Sequence, residues 1–193
     1  YDGETAPDVG RDAPGRALAM APSLVIVQHL PENFDSRLVQ SLRPHTPLEV
    51  GLVEPGVTPG PGEVWLAPAG THVVFDSLAP LPTLRFDGSP PVHSCRPAVD
   101  PLFLSAVRAF GSGALGVILT GMGQDGLAGC QALKAAGAPI LAQDEATSVV
   151  WGMPGFVSRA GVADAVLPLD QIAMAIQERV RGRRRESRNA GAM

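Results

Sequence analysis

Two residues stand out for their type and setting. His29 closes the apolar run SLVIVQH, and Asp125 sits in LTGMGQDG, immediately after GVILT. Histidine is the side chain suited to moving protons near neutral pH. A carboxylate beside it would fix its tautomer and stabilise its charged form. The glycines around Asp125 permit a tight turn that exposes backbone amides, as an oxyanion site requires. Taken alone, each signal has an ordinary explanation. An aspartate ahead of a helix is commonly an N-cap, and a glycine-rich turn at a helix start is suited to holding a phosphate.

The elements around these residues decide whether they meet. Strands are expected at 23–29, 48–54, 64–67, 72–75, 83–86, 114–120, 139–142 and 162–166, and helices at 33–43, 100–110, 126–136, 153–160 and 171–181. From residue 114 on, strand and helix alternate at a pitch that implies a mostly parallel sheet with helices on both faces. The short links between 64–67, 72–75 and 83–86 imply an antiparallel excursion there. In an open parallel sheet, ligands bind at the carboxyl ends of the strands. His29 and Asp125 both sit at such ends, so one crevice is expected to hold both.

Composition narrows the class. With 193 residues and 45% apolar residues the chain can build one substantial core, and no stretch has the length to cross a bilayer. No secretory leader pattern is visible, which leads to the expectation of a cytoplasmic protein without membrane insertion. Cys95 and Cys130 are expected as reduced thiols. No metal-binding spacing occurs, and no cofactor or metal is expected. Nine basic and eighteen acidic groups precede Arg179, whereas six arginines follow from there on. An acidic body of this kind speaks against a nucleic-acid groove. Three segments are expected: an irregular or degraded unit at 1–22, the main domain at 23–182, and a basic flexible tail at 183–193.

The segments IVQHLPENF, WLAPAGTHV, PPVHSCRPAVDPLF, GVILTGMGQDGLAG and AQDEATSVVWGMPG occur in this order. Together they resemble the catalytic domain of the chemotaxis receptor methylesterases, the CheB-type family, over about residues 21–180. The resemblance implies a doubly wound α/β sheet with a small antiparallel hairpin addition. It implies hydrolysis of methyl esters on glutamyl side chains of chemoreceptor signalling helices, and in many members deamidation of glutamines. It implies a Ser–His–Asp triad without cofactor, in which His29 and Asp125 are two members and the backbone amide of Met122 helps form the oxyanion hole. The partners implied are cytoplasmic helices of methyl-accepting chemoreceptors, and a receiver domain on a separate or removed segment.

One triad member is not legible. The family's serine lies in a GASTGG-like motif upstream of QH. Counting back from His29 places that motif on residues 1–6, YDGETA, with Gly3 at the serine position. Residues 1–22 contain neither serine nor cysteine, and Thr5 is their only aliphatic hydroxyl. Ser23 is at the wrong end of its strand, and Ser148 in ATSVVWG is a weak alternative. Arg96 and Asp100 in CRPAVD are expected as structural or rim residues. Two functions follow: a methylesterase lacking its usual nucleophile, or a methylesterase-like domain that binds receptor or a signalling partner without hydrolysis. A more remote third is a phosphate-binding α/β domain built on TGMGQDG.

Overall fold

The structure, a computed structural model, describes residues 21–77 and 81–190, with no side chains described beyond residue 182. The expectations at 1–20, including those on Gly3 and Thr5, lie outside the described residues.

Strand β1 (Leu24–Ile26) leads through His29 to helix α1 (Asp35–Leu42), followed by β2 (Glu49–Leu52) and β3 (Glu63–Leu66). A hairpin, β4 (His72–Asp76) and β5 (Thr83–Asp87), precedes helix α2 (Val99–Phe110). The second half alternates β6 (Gly116–Ile118), α3 (Leu127–Ala135), β7 (Ile140–Gln143), α4 (Met153–Arg159), β8 (Ala165–Leu167) and α5 (Leu169–Ala190). Among the described residues there are two parallel three-stranded sheets, ordered β1-β3-β2 and β6-β7-β8, and the antiparallel pair β4-β5. The mixed α/β class is as expected, with most strands parallel.

Two expectations are corrected. Segment 64–67 is not part of the antiparallel excursion. It forms β3, the central strand of the first parallel sheet, with Val64 opposite both Leu24 and Val50. The cause is burial: Val64 and Leu66 pack with Val39 and Val50 beneath α1, and the crossover over 53–62 is made without a helix. The antiparallel addition is therefore β4-β5 alone. At the carboxyl end, the last helix does not stop near residue 181. It continues through Ala190, into the segment expected as a flexible tail.

Three apolar clusters hold these layers together. Ile118, Ile140, Leu133 and Val157 form the first, Val73, Phe75, Leu84 and Leu102 the second, and Val39, Val50, Val64 and Leu66 the third. Val27 and Phe103 pack against both the first and the second, so β1's exit and helix α2 join the two halves. Helices α2 and α3 approach closely because Gly129 lacks a side chain. A Cβ there would overlap Phe103 Cβ and lie 3.3 Å from Asp100 Oδ1. The proximity lets the Gly129 amide donate to Asp100 Oδ1 at 2.8 Å.

A Gly129→Ala variant is therefore expected to lose about 1–3 kcal/mol of stability, the usual cost of overpacking a filled core. Urea unfolding at neutral pH measures it. An unchanged midpoint would show that the α2–α3 contact yields freely.

Candidate active site

Asp125 is reached by a loop that leaves β6 and turns into α3. Gly123 and Gly126 take φ of 83° and 90° there, conformations that favour glycine. The preceding Thr120–Gly121 segment is pinned from the side by the 150–153 stretch. The Val150 amide donates to Thr120 Oγ1 at 2.9 Å, and the Gly121 amide donates to the Val150 carbonyl at 3.0 Å. The Gly152 and Met153 amides both donate to the Gly121 carbonyl, at 3.0 and 2.8 Å. Gln143 at the end of β7 adds a further tie, its Oε1 accepting from the Thr120 amide at 2.8 Å. This places Gly121–Asp125 as a fixed loop above the sheet's carboxyl edge.

His29 Nε2 and Asp125 Oδ2 are 2.8 Å apart. The Asp125 side chain is 2% exposed and that of His29 27%, so one partner is inside and the other reaches solvent. Asp125 also accepts from the amides of Val99 (2.7 Å, Oδ2) and Asp100 (3.0 Å, Oδ1). These are the first two residues of α2, whose N-cap residue, Ala98, offers no side-chain cap. Asp125 thus caps α2 from another element and meets the positive end of that helix. Burial alone would raise its pKa. The hydrogen bonds from His29, Val99 and Asp100, and the charge of His29, outweigh burial and hold it below the usual carboxylate range. An ionised carboxylate only accepts, so Nε2 of His29 carries the proton of this bond.

The start of α2 is itself held in place. His72 is fully buried on β4. Its Nδ1 accepts from the Ala98 amide at 3.1 Å, and its Nε2 donates to the Pro90 carbonyl at 3.1 Å. Asp100, also buried, bonds the Gly129 amide and lies 3.4 Å from His93 Nε2. Burial pushes the Asp100 pKa up; the Gly129 hydrogen bond opposes this and the negative charge of Asp125 adds to it. Cys95 has its thiol pKa raised, first by burial and then by the charge of Asp125. Cys130, in α3, is pushed up to about 12 by burial and by the charge of Asp100. Both cysteines are free thiols.

The other residues singled out in the sequence fall as follows. Met122 is 82% exposed, and among the described residues no acceptor takes its amide. Ser148 donates its hydroxyl to the Asp144 carbonyl at 2.6 Å within a turn, and no hydrogen bond joins it to His29. Arg96 is exposed, with its Nη1 3.5 Å from the Ser89 carbonyl. The sequence reading missed the Val99 and Asp100 amides and His72. An uncapped helix start at Ala98, with no Ser, Thr, Asn or Asp at that position, was the one available sign that its amides go elsewhere.

Replacing Asp125 with Asn leaves the shape but removes the charge that these donors face. The loss at neutral pH is expected at about 2 kcal/mol, in line with hydrogen bonds to charged groups. Because the folded-state pKa of Asp125 lies below the unfolded value, its contribution is fully present above about pH 4 and is lost as pH falls through the lower, folded-state value. Unfolding measured from neutral pH down to about pH 3 is expected to show a shallower acid limb for Asp125→Asn than for the parent. Equal slopes would mean that Asp125 does not carry this linkage.

With this geometry in view, comparison with known proteins is direct. The family described as CheB methylesterase matches residues 16–176. A protein-glutamate methylesterase/protein-glutamine glutaminase of Trichodesmium erythraeum is 42% identical over 157 residues, covering 81% of this chain and 45% of that protein. Such a protein from Caulobacter vibrioides, numbered 2, is 46% identical over 159 residues, covering 82% of this chain and 46% of its own length. The chain thus spans about half the length of these relatives. The CheB methylesterase catalytic domain of Thermotoga maritima superposes with a TM-score of 0.79 at 35% identity, covering 84% of this chain and 91% of that one. On sequence and fold alike, this chain belongs to the CheB methylesterase family.

Proposed function

We propose that this domain is built to hydrolyse methyl esters of protein glutamyl side chains, with His29 as base, Asp125 as its orienting partner and the Met122 amide as an oxyanion donor. The observation that carries this reading is the His29 Nε2–Asp125 contact at 2.8 Å, with Asp125 itself clamped by the start of α2. In such a reaction a hydroxyl oxygen attacks the ester carbonyl and gives its proton to Nδ1 of His29. The carbonyl oxygen becomes an oxyanion at the Met122 amide. Methanol then leaves with the proton from His29, and water repeats the cycle on the acyl group to release the carboxylate. Glutamine side chains would be deamidated by the same steps, with ammonia leaving. Protein glutamyl esters are the substrates in keeping with the relatives' names, and receptor helices are the ones that the sequence resemblance implies.

The hydroxyl is the missing part. Residues 1–22 carry no serine, Gly3 stands at the expected position, and Ser148 is committed to a turn. Without a tethered hydroxyl, His29 has only water to activate, and water is not held in attack geometry by a covalent link. A second reading, binding without hydrolysis, is favoured by the same gap. It is also favoured by the apolar side chains displayed beside the site: Met122 and, on the adjoining loop, Val149, which is 90% exposed.

Methanol release from a methylated receptor fragment separates the two. The chain as given is expected to be slower by several orders of magnitude than a version whose residues 1–6 are replaced by an apolar strand ending in GASTGG, since loss of a nucleophile leaves only oxyanion and binding effects. Adding His29→Ala to the restored version is expected to abolish the gain. A parent chain already as fast as the restored one would sink the missing-hydroxyl reading, and Thr5 and Ser148 would be the next positions to substitute.

A further inference from the structure

Residues 92–95 close a turn on themselves. The Val92 amide donates to the Cys95 carbonyl at 3.1 Å, and the Cys95 amide donates to the Val92 carbonyl at 2.9 Å. The two residues between them, His93 and Ser94, take φ of 49° and 63°. Two successive left-handed residues make a tight hairpin turn that favours Asn and Gly. Histidine and serine hold that conformation at a cost, and it persists only where the surroundings support it.

The support lies at the start of α2. His93 Nε2 is 3.4 Å from Asp100 Oδ2. The Asp100 side chain is 6% exposed and that of His93 37%, so a ring open to solvent meets a buried carboxylate. The other carboxylate oxygen of Asp100 accepts from the Gly129 amide, and the Asp100 amide donates to Asp125 Oδ1. Burial pushes the Asp100 carboxyl up; the Gly129 hydrogen bond opposes this, the charge of Asp125 adds to it, and His93 opposes it. The turn also borders the site itself, since the charge of Asp125 reaches the Cys95 thiol.

We infer that His93 is a positioning residue: as an imidazolium it draws the 92–95 turn onto Asp100 and so steadies the helix start that holds Asp125, and on losing its proton it releases the turn. Its bearing on catalysis rests on the roles proposed for His29 and Asp125, whereas the clasp itself stands on the turn and Asp100. Histidines titrate near neutral pH, so the release falls in that range. A neutral imidazole no longer forms an ion pair, and the strain at His93 and Ser94 is then less opposed. The sign follows: the turn is tight in weak acid and looser as pH rises. The neighbouring groups do not reproduce that sign. His72, on β4, accepts the Ala98 amide at its Nδ1 only while that nitrogen is unprotonated, so its effect on the helix start runs the other way. His29 meets Asp125 Oδ2 and not the turn. Cys95 and Cys130 have raised thiol pKa values and stay neutral over the range, and Arg96 stays charged throughout.

The test is backbone amide exchange on the whole chain, followed by NMR at about pH 5.5 and about pH 7.5, either side of the histidine range. Each rate is divided by that of an unstructured peptide at the same pH. Protection of the Val92 and Cys95 amides is expected to fall by about fivefold from the lower pH to the higher, the order of one partly exposed ion pair. Protection of the Asp100 amide is expected to fall with it, and that of Leu141, central in its sheet, to stay level. Asn suits left-handed backbone and has no proton to lose, so His93→Asn is expected to protect the turn equally at both pH values. Asp100→Asn keeps an acceptor for Gly129 and is expected to remove the pH dependence with His93 still present. Four outcomes would overturn the proposal: level protection in the parent, a fall retained in either variant, a fall confined to the turn that leaves the Asp100 amide unmoved, or protection that rises with pH, the mark of His72. No readout involves ester hydrolysis, so a chain that hydrolyses nothing yet shows the expected exchange would overturn the esterase reading and leave the clasp standing.

Discussion

The Asp125 carboxylate is the point on which the site depends. Three donors converge on it: His29 Nε2 and the two leading amides of α2. A carboxylate in a buried place is costly unless it is fully bonded, and here the bonds outweigh the burial. Its charge is consequently stable at neutral pH, which in turn decides which nitrogen of His29 carries the proton. The one-sidedness matters. Asp125 is inside and His29 is at the surface, so the carboxylate's charge is protected from screening while the imidazole stays reachable.

Much of the rest of the fold serves to hold that carboxylate's donors at the right distance. Helix α2 is placed from behind by His72, which ties Ala98 to the β4-β5 hairpin. It is placed from the side by α3, through Gly129 and Asp100. Asp125 itself is carried by the Gly121 loop, which the 150–153 segment anchors. Two separate stretches of sequence, at His29 and at Val99–Asp100, thus converge on two oxygen atoms. The hairpin has an obvious use in this arrangement: it is the platform on which the helix start rests. The cost is that two carboxylates, Asp125 and Asp100, lie close enough to repel. The structure resolves this by giving them different environments, so that one pKa is lowered and the other raised.

Much of this was legible in the sequence, and what was not has physical causes. The positions of His29 and Asp125 at strand ends follow from apolar runs broken by polar residues, and the alternation after residue 114 gives the second sheet directly. The short links around segment 64–67 point to antiparallel neighbours, whereas a loop without a helix brings it back parallel to β2. Its burial against Val39 and Val50 is a tertiary fact that no local pattern encodes. The role of His72 is hidden for the same reason: a histidine in a strand looks alike whether it faces solvent or binds Pro90 and Ala98. The amides of Val99 and Asp100 carry no side-chain signature, so only an absent cap residue hints at them.

The two halves of the domain touch in a way that bears on how the site works. They share Val27 and Phe103 beneath the sheet edges and the His29–Asp125 bond at the carboxyl ends. A hydrogen bond to a buried charge falls off steeply with distance and angle. The His29–Asp125 geometry is therefore sensitive to the spacing of the two half-sheets. Packing around Val27 and Phe103 sets that spacing just beneath the two side chains. Orientation of the imidazole and packing of the two half-sheets are for this reason one mechanical problem, met at the carboxyl ends by the Asp125 carboxylate and beneath them by Val27 and Phe103.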